Sequence, residues 1–305
     1  MAPPSFVWGT GVMEFKQILS FVKIEHTLFS LPFVLIGYFI ALEQFEMELG
    51  VDLLWILLAA LGARGLAMAL NRIIDRNIDA KNPRTMQRHL ASGSMKLESA
   101  WLLAAGFLAI LLLSAGMLNE VALMMAWLPV LAFVIYPYTK RFTWMCHLWL
   151  GVCLGLAPAG AWVAMAADVH GWASITGNLA TGKEFLWLPT ILPLSVGVAL
   201  WIATFDINYA RMDVQSDREH GIYSFPAQFG ERATTMASGL LTFVWVACFL
   251  WANPTNELPF AFASVVLGLV QMLIIVRRNV LLDFQSRLFQ ISMSTGWTFV
   301  IVILW

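Results

Sequence analysis

Residues 53–80 read LLWILLAALGARGLAMALNRIIDRNIDA and join an apolar run of membrane length to a polar end. A helix needs about 20 mostly apolar residues to cross the hydrocarbon of a bilayer, and the run before Asn71 reaches that length with one charged residue in it, Arg64. An ionised side chain inside a span costs about 2.5–3.5 kcal/mol on insertion scales. Arg64 therefore predicts a polar cavity, with a buried partner as the alternative.

The polar end of this stretch places four side chains on one face of a helix. Asn71 follows Arg64 by seven residues. Asp75 and Asp79 continue the series at four-residue steps, so a continuous helix would align all four. The alternative is that the helix ends at Asn71 and a solvated loop begins, but this leaves Arg64 unexplained.

The composition of the whole chain is that of a membrane protein. Of the 305 residues, 60% are apolar and 12% are charged, whereas soluble domains have about 45–50% and about 25%. Lipid must therefore cover part of the apolar surface. The net charge of −1 gives no general case for nucleic-acid binding. Residues 1–15 lack the basic and apolar regions of a cleaved signal peptide, so we expect none.

Polar and turn-forming breaks divide the chain into nine apolar runs. These runs predict an all-α polytopic membrane protein with nine transmembrane helices. They lie at 24–42, 51–70, 98–118, 120–137, 147–167, 186–206, 233–252, 258–276 and 287–305.

Basic residues mark one side of the membrane. All 18 lysines and arginines except Arg64 and Lys183 fall in the N-terminal arm or in connections after the second, fourth, sixth and eighth runs. The positive-inside rule makes this side cytoplasmic. We therefore expect the N-terminus inside and Trp305 outside.

The end of the sixth run repeats the acidic pattern. Asp206, Asp213 and Asp217 stand at offsets of zero, seven and eleven residues, which is one face of a helix. Tyr209 lies close to the same stripe. Carboxylates four residues apart repel each other, so their recurrence at matching ends of two runs indicates a compensating cation.

Magnesium is the cation that suits such a site. It takes oxygen ligands and commonly bridges one or two carboxylates to substrate phosphates. Arginine and lysine side chains are abundant near both ends, among them Arg84, Arg88 and Lys140. Mg²⁺ with basic side chains at a membrane edge suits a diphosphate whose tail lies in lipid, and this points to a polyprenyl diphosphate.

Three segments resemble the motifs of the UbiA superfamily of intramembrane aromatic prenyltransferases. Residues 71–79, NRIIDRNID, resemble its NDxxDxxxD motif. Residues 206–217, DINYARMDVQSD, resemble DxxYxxxDxxxD, and residues 136–140, YPYTK, resemble YxxxK. Arg64 stands where the family has its arginine in the second span, and residues 84–93 are similar to its RT…RPLPSG stretch.

The sequence departs from the family pattern in the first motif. Arg72 replaces a residue that is usually aspartate. This NRxxDR variant, together with the EHTLFSLPF segment, is most similar to the 4-hydroxybenzoate polyprenyltransferase-like branch, which includes enzymes of the futalosine route to menaquinone.

The resemblance implies one domain over residues 1–305, with pseudo-repeat halves near 20–137 and 147–276, in which the helices ring a central cavity. It implies a Mg²⁺ ion held by Asp75, Asp79, Asp213 and Asp217. These four and Asp206, a candidate to position the acceptor, form the expected catalytic set. The expected diphosphate-binding set is Asn71, Arg64, Arg72, Arg88, Tyr136, Lys140 and Tyr209.

The implied activity is transfer of a polyprenyl group from an allylic diphosphate to a small aromatic acid in respiratory quinone biosynthesis. Acceptors such as 4-hydroxybenzoate or a dihydroxynaphthoate, and a bacterial plasma membrane, are expected. One alternative is a secondary transporter, although transporter sites tend toward the bilayer midplane. Another is a superfamily member that uses haem, homogentisate or a glycerol-phosphate lipid.

Two further groups of residues are interpreted as structural. The histidines, His147 among them, lack the spacing of metal ligands. Gly151 and Gly155 predict a close helix-packing face.

Overall fold

A computed structural model describes residues 15–23, 27–178 and 185–305 of the chain. Within these ranges the structure is helical, and nine helices are long and apolar enough to cross a membrane, as predicted. In chain order these spans are Thr27–Gln44, Asp52–Asp79, Leu97–Leu118, Glu120–Thr139, Cys146–His170, Ile191–His220, Phe225–Ala252, Leu258–Val276 and Phe284–Leu304.

Some features noted in the sequence lie outside the described residues. These are residues 1–14 of the segment in which no cleaved signal peptide is expected, the first two residues of the EHTLFSLPF segment, and Lys183. A short helix, Phe15–Val22, precedes the first span. Another, Ala173–Thr176, follows the fifth span.

The second span is one unbroken helix over Asp52–Asp79. The interpretation of a helical stripe is therefore confirmed, and the alternative of a helix that ends at Asn71 is wrong. Asp75 and Asp79 thus lie on a rigid element whose direction is set by its apolar, membrane-spanning part.

The sixth span differs from its prediction at both ends. It begins at Ile191, because residues 186–190 form turns. Its regular helix ends at Tyr209, and a 3₁₀ turn over Ala210–Asp213 leads into the helix Val214–His220. A 3₁₀ turn has three residues per turn, so the predicted single stripe through Asp213 is rotated relative to an ideal α-helix.

The spans close into a ring. The second span packs on the first, third and fourth, and contacts then run through the fifth, sixth, seventh, eighth and ninth spans back to the first. The first span also packs on the fifth. In the fifth and sixth spans, 67% of the residues in the apolar stretch of each helix are buried, whereas in the third and fourth spans 22% are. The second acidic motif therefore follows one of the most enclosed helices.

Glycines permit the closest contacts between spans. A Cβ atom on Gly151 would lie 2.2 Å from the carbonyl oxygen of Ala199, and one on Gly155 would lie 2.7 Å from that of Ser195. The predicted helix-packing face is confirmed, since only the absence of side chains lets the fifth and sixth spans approach to this distance. This packing brings the start of the fifth span beside the acidic end of the sixth.

Large apolar side chains cover the outside of the ring. Leu113, Phe243 and Phe262 are each about 70% exposed. Exposed apolar surface of this extent is typical of contact with lipid.

Candidate active site

Two hydrogen-bond donors and one further cation surround Asp75 of the first acidic motif. This side chain is fully buried, and its Oδ2 accepts hydrogen bonds from Lys140 Nζ at 2.5 Å and Asn71 Nδ2 at 2.9 Å. Arg141 Nη2 lies 3.5 Å from Oδ1. Asn71 is one helical turn before Asp75, so that contact follows from the predicted stripe.

The loop over residues 80–96 folds back on the helix that precedes it. Arg88 Nη1 donates to both carboxylate oxygens of Asp79, at 2.8 and 2.9 Å. Thr85 Oγ1 donates to the backbone carbonyl of Asp79 at 3.0 Å. The basic loop is therefore held against the end of the second span by a charge-assisted contact and by a neutral one.

The same loop holds the second motif. Arg84 donates to Asp213 from Nε at 2.9 Å and from Nη2 at 2.6 Å, which is a bidentate ion pair. Asn82 Nδ2 donates to Asp213 Oδ1 at 2.9 Å. Burial lowers the pKa of Arg84, but its hydrogen bonds and charge pairing with Asp213 outweigh this and raise the pKa above its usual value. The Arg84 guanidinium also lies over the ring of Tyr209, 5.8 Å from its centroid.

Asp217 completes the second motif. Its Oδ2 accepts a hydrogen bond of 2.5 Å from Ser224 Oγ, and the residue as a whole is 8% exposed. It also interacts electrostatically with Asp213 and with Lys140, the residue that binds Asp75. Lys140 therefore acts on both motifs.

The basic side chains bring the two motifs together. Arg84, which binds Asp213, also interacts electrostatically with Asp79. Arg88, which binds Asp79, interacts electrostatically with Asp213. We call the four residues of this cluster the motif carboxylates: Asp75, Asp79, Asp213 and Asp217.

The motif carboxylates fit a magnesium site that is completed by substrate. In the described part of the chain, no three His, Cys, Asp or Glu side chains form a ready metal site. Magnesium, however, commonly uses one or two carboxylates with water and phosphate oxygens. Asp75 Oδ1 is buried and has no hydrogen-bond partner among the described residues. A buried carboxylate oxygen without a hydrogen-bond partner is suited to binding a hard cation.

Asp206 stands apart from these ion pairs. Its Oδ2 lies 2.6 Å from His147 Nδ1, and His147 Nε2 accepts a hydrogen bond of 3.0 Å from the backbone N–H of Phe225. The His147 side chain is 4% exposed. Interpreting His147 as a packing residue missed this contact.

Arg64 in the second span and Tyr136 in the fourth are electrostatic neighbours. Their side chains interact electrostatically, and Tyr136 also interacts with Asp206 and Asp75. Arg64 Nε is buried without a hydrogen-bond partner among the described residues. Arg64 is therefore linked through Tyr136 to one residue of each acidic motif.

Arg72 makes its hydrogen bond outside the cluster. It is 3% exposed, and its Nε donates to the carbonyl oxygen of Phe21 at 3.2 Å. This bond fastens the helix Phe15–Val22 to the second span. A role for Arg72 in diphosphate binding stays a prediction.

Several site residues were absent from the predicted sets. Arg84 belonged to a recognised stretch and was noted as a nearby basic group, but its pairing was not predicted. The others carry no periodic or motif signal, and all of them except Ser224, which is seven residues from Asp217, have partners that are distant in sequence. The residues are Asn82, Arg84, Arg141, His147 and Ser224.

Sequence comparisons identify relatives over most of the chain. Residues 30–295 match the UbiA prenyltransferase family. The 4-hydroxybenzoate octaprenyltransferase of Coxiella burnetii (strain RSA 493 / Nine Mile phase I) is 31% identical over 195 residues, which are 62% of this chain and 62% of that enzyme. The match therefore spans less than two thirds of its length. The enzyme of the same name from Shewanella denitrificans is 27% identical over 80% of this chain and 77% of its own.

Solved structures share the fold. The apo structure of a UbiA homolog from Aeropyrum pernix K1 is 29% identical, with a TM-score of 0.75 over 92% of this chain and 97% of that chain. A UbiA homolog from Archaeoglobus fulgidus bound to DMAPP and Mg²⁺ is 17% identical, with a TM-score of 0.64 over 94% and 99% of the two chains. The nine spans make the protein an integral membrane protein, and the chain belongs to the UbiA prenyltransferase family.

Proposed function

We propose that this protein transfers a polyprenyl group from an allylic polyprenyl diphosphate to a small aromatic acid. The observation that carries the proposal is the cluster of four motif carboxylates and three basic side chains, Lys140, Arg84 and Arg88, at one end of the ring. Relatives named 4-hydroxybenzoate octaprenyltransferase support the acceptor class, which includes 4-hydroxybenzoate and dihydroxynaphthoates. The step belongs to respiratory quinone biosynthesis.

The motif carboxylates would hold Mg²⁺. When bound, the ion neutralises the negative charge that develops on the diphosphate as the allylic carbon–oxygen bond breaks. Carboxylates from both halves of the chain would bind the ion, and Asn71 would orient Asp75 through its hydrogen bond.

The basic side chains would exchange partners when substrate binds. Arg84 and Arg88 now bind carboxylates in the geometry that also suits phosphate oxygens. Released from the carboxylates, these guanidinium groups and Lys140 would be free to bind the diphosphate. Preorganised cations act most strongly where charge develops, and Arg64, which has no carboxylate ion pair among the described residues, would add to them.

Aromatic side chains would shield the reacting carbon from water. The Phe29 ring lies 5.1 Å from that of Trp201 and 5.0 Å from that of Phe205. Phe205 in turn stacks on Tyr209 at 5.4 Å, and Tyr209 lies beneath Arg84. This aromatic cluster adjoins the diphosphate site, so an allylic cation formed there would meet ring faces rather than water.

The placement in the membrane follows from the basic residues. The motif carboxylates lie on the side that carries nearly all lysines and arginines, which the positive-inside rule makes cytoplasmic. We therefore propose that the active-site mouth is cytoplasmic and that the membrane is the bacterial plasma membrane. We also propose that residues 1–305 form a single domain with two pseudo-repeat halves.

A reconstitution assay tests the proposal. The purified protein in lipid nanodiscs is supplied with Mg²⁺, a radiolabelled polyprenyl diphosphate and separate acceptors: 4-hydroxybenzoate, a dihydroxynaphthoate, homogentisate, haem and a glycerol-phosphate lipid. We expect a prenylated aromatic acid, loss of product on chelation, and recovery when Mg²⁺ is restored. Transfer to another acceptor alone would contradict the acceptor class. Substrate movement across the bilayer without any transfer would instead favour a transporter.

A further inference from the structure

His147 and Asp206 form a buried pair that the ion-paired cluster does not use. His147 lies in the first turn of the fifth span, and Asp206 lies near the end of the regular helix of the sixth. Nδ1 of the ring is 2.6 Å from Oδ2 of the carboxylate. The close packing of these two spans at Gly151 fixes the separation of their backbones.

The backbone of the seventh span fixes the tautomer of His147. The N–H of Phe225 donates to Nε2 at 3.0 Å. A ring nitrogen that accepts a hydrogen bond carries no hydrogen of its own. The hydrogen of the imidazole must therefore be on Nδ1, from which it is donated to Asp206.

This arrangement leaves one carboxylate oxygen of Asp206 available. Oδ2 is engaged by His147, whereas Oδ1 has no hydrogen bond among the described residues. The Asp206 side chain is 21% exposed, whereas that of Asp75 is fully buried. No lysine or arginine of the described chain forms an ion pair with Asp206, in contrast to Asp75, Asp79 and Asp213.

A carboxylate with one fixed and one available oxygen accepts an O–H hydrogen bond in a defined direction. Asp206 interacts electrostatically with Tyr136, which also interacts with Asp75. Asp206 also lies on the helix that leads directly into the turn of Asp213, so its available oxygen is at the same end of the ring as the motif carboxylates.

We propose that His147 is a positioning residue that orients Asp206 to bind the phenolic hydroxyl of the acceptor. The inference rests on the proposed function and narrows its substrate class to aromatic acids with a hydroxyl beside the carbon that is prenylated. Partial withdrawal of the hydroxyl proton raises electron density at that carbon. Its electron pair forms the new carbon–carbon bond while the allylic carbon–oxygen pair leaves with the diphosphate, and the ring proton is released to water.

Substitutions at position 147 test this role together with a change of acceptor. His147→Phe keeps an aromatic ring and removes the donor, and His147→Asn supplies an amide N–H where Nδ1 stands. Wild-type protein should use 4-hydroxybenzoate over 4-methoxybenzoate by about tenfold or more in kcat/KM, since the ether cannot donate a hydrogen bond. His147→Phe should reduce this preference to about twofold by raising the KM for 4-hydroxybenzoate, and His147→Asn should restore part of it.

Two controls separate this role from a structural one. The KM for the polyprenyl diphosphate should change less than about twofold in either variant, because Asp206 does not bind that substrate. His170→Phe makes the same substitution at the far end of the same span and should leave the acceptor preference unchanged.

The outcomes distinguish the inference from the proposed function. An unchanged hydroxyl preference in His147→Phe, or equal losses with both acceptors, would overturn the inference and leave the transferase proposal intact. Absence of transfer by the wild-type protein to any hydroxylated aromatic acid would instead overturn the proposed function. If His147→Phe does not fold, a wild-type hydroxyl preference in folded His147→Leu, which also lacks the donor, would contradict the inference.

Discussion

The two acidic motifs resemble each other in sequence but are built differently. The first lies on one continuous helix, where Asn71 supports Asp75 from one turn away. The second runs from a regular helix into a 3₁₀ turn, and its Asp213 is held by Asn82 and Arg84 from the loop of the other half. The first site is therefore assembled largely within its own half of the chain, whereas the second depends on a loop that arrives from elsewhere.

The surroundings of the two motifs differ as well. Asp75 is fully buried and has Lys140 and Arg141 as neighbours, whereas Asp213 is 9% exposed and has Arg84 alone as an ion-pair partner among the described residues. Removal of a charge at the first motif leaves two cations uncompensated in a buried place. At the second motif it releases one arginine near the surface. The same substitution should thus have unequal effects.

The largest effect is expected from Asp75→Asn. The variant loses a proposed metal ligand and leaves the charges of Lys140 and Arg141 unbalanced, so transfer should fall about a thousandfold, and higher Mg²⁺ should not restore it. Steady-state assays with a thermal melt measure both effects. Asp168→Asn is a matched control, since that aspartate also accepts from an asparagine, Asn119, but lies at the other end of the ring. Near-wild-type transfer by Asp75→Asn would show that the carboxylate of the first motif does not take part in the active site.

Asp213→Asn should have a smaller effect that is partly reversible. The first motif would still bind metal, so we expect transfer to fall about a hundredfold and to recover in part as Mg²⁺ is raised. A Mg²⁺ titration of the rate measures this difference from Asp75→Asn. Identical titrations for the two variants would show that the motifs contribute equally despite their different surroundings.

The loop contact to the second motif can be tested without any change of charge. Asn82→Ala removes the hydrogen bond to Asp213 Oδ1 and leaves the ion pair with Arg84 in place. Transfer should fall about tenfold, the loss expected for one hydrogen bond to a charged group. Asn77→Ala is the control, because Asn77 is exposed on the second span. Equal rates for the two variants would mean that the Asn82 hydrogen bond does not orient Asp213.

The smallest effect on transfer is expected at Arg72. Arg72→Met removes the bond to the Phe21 carbonyl, which is worth about 1.5–3 kcal/mol for a charged donor. The helix Phe15–Val22 should then become sensitive to limited proteolysis, while transfer falls only about twofold. A large rise in the KM for the polyprenyl diphosphate, with unchanged proteolysis, would instead support the predicted role of Arg72 in diphosphate binding.

The fold could be predicted because a helix that crosses the lipid must be mostly apolar over about 20 residues. Every span appears as an apolar run, and the stripe of the second span through Asp79 follows from the period of one uninterrupted helix. The 3₁₀ turn before Asp213 could not be predicted in the same way, because residues 209–217, YARMDVQSD, contain no glycine or proline to signal it.

The candidate site was only partly predictable, because its partners are distant in sequence. Asn82 and Asp213 are 131 residues apart, and His147 and Asp206 are 59 apart. Periodicity reports which residues share a face of one helix, but it carries no information about which faces meet. A histidine in an apolar run therefore resembles a packing residue until the sixth span is placed beside it.

Manganese binding followed by electron paramagnetic resonance tests most directly whether both halves share one divalent ion. The protein is titrated with Mn²⁺ in the presence of an unreactive polyprenyl thiolodiphosphate, as wild type and as Asp75→Asn and Asp213→Asn. We expect ³¹P coupling to the bound Mn²⁺ in the wild type, and a loss of affinity of about tenfold or more in each variant. Wild-type affinity and unchanged ³¹P coupling in either variant would show that its half of the chain does not hold the ion.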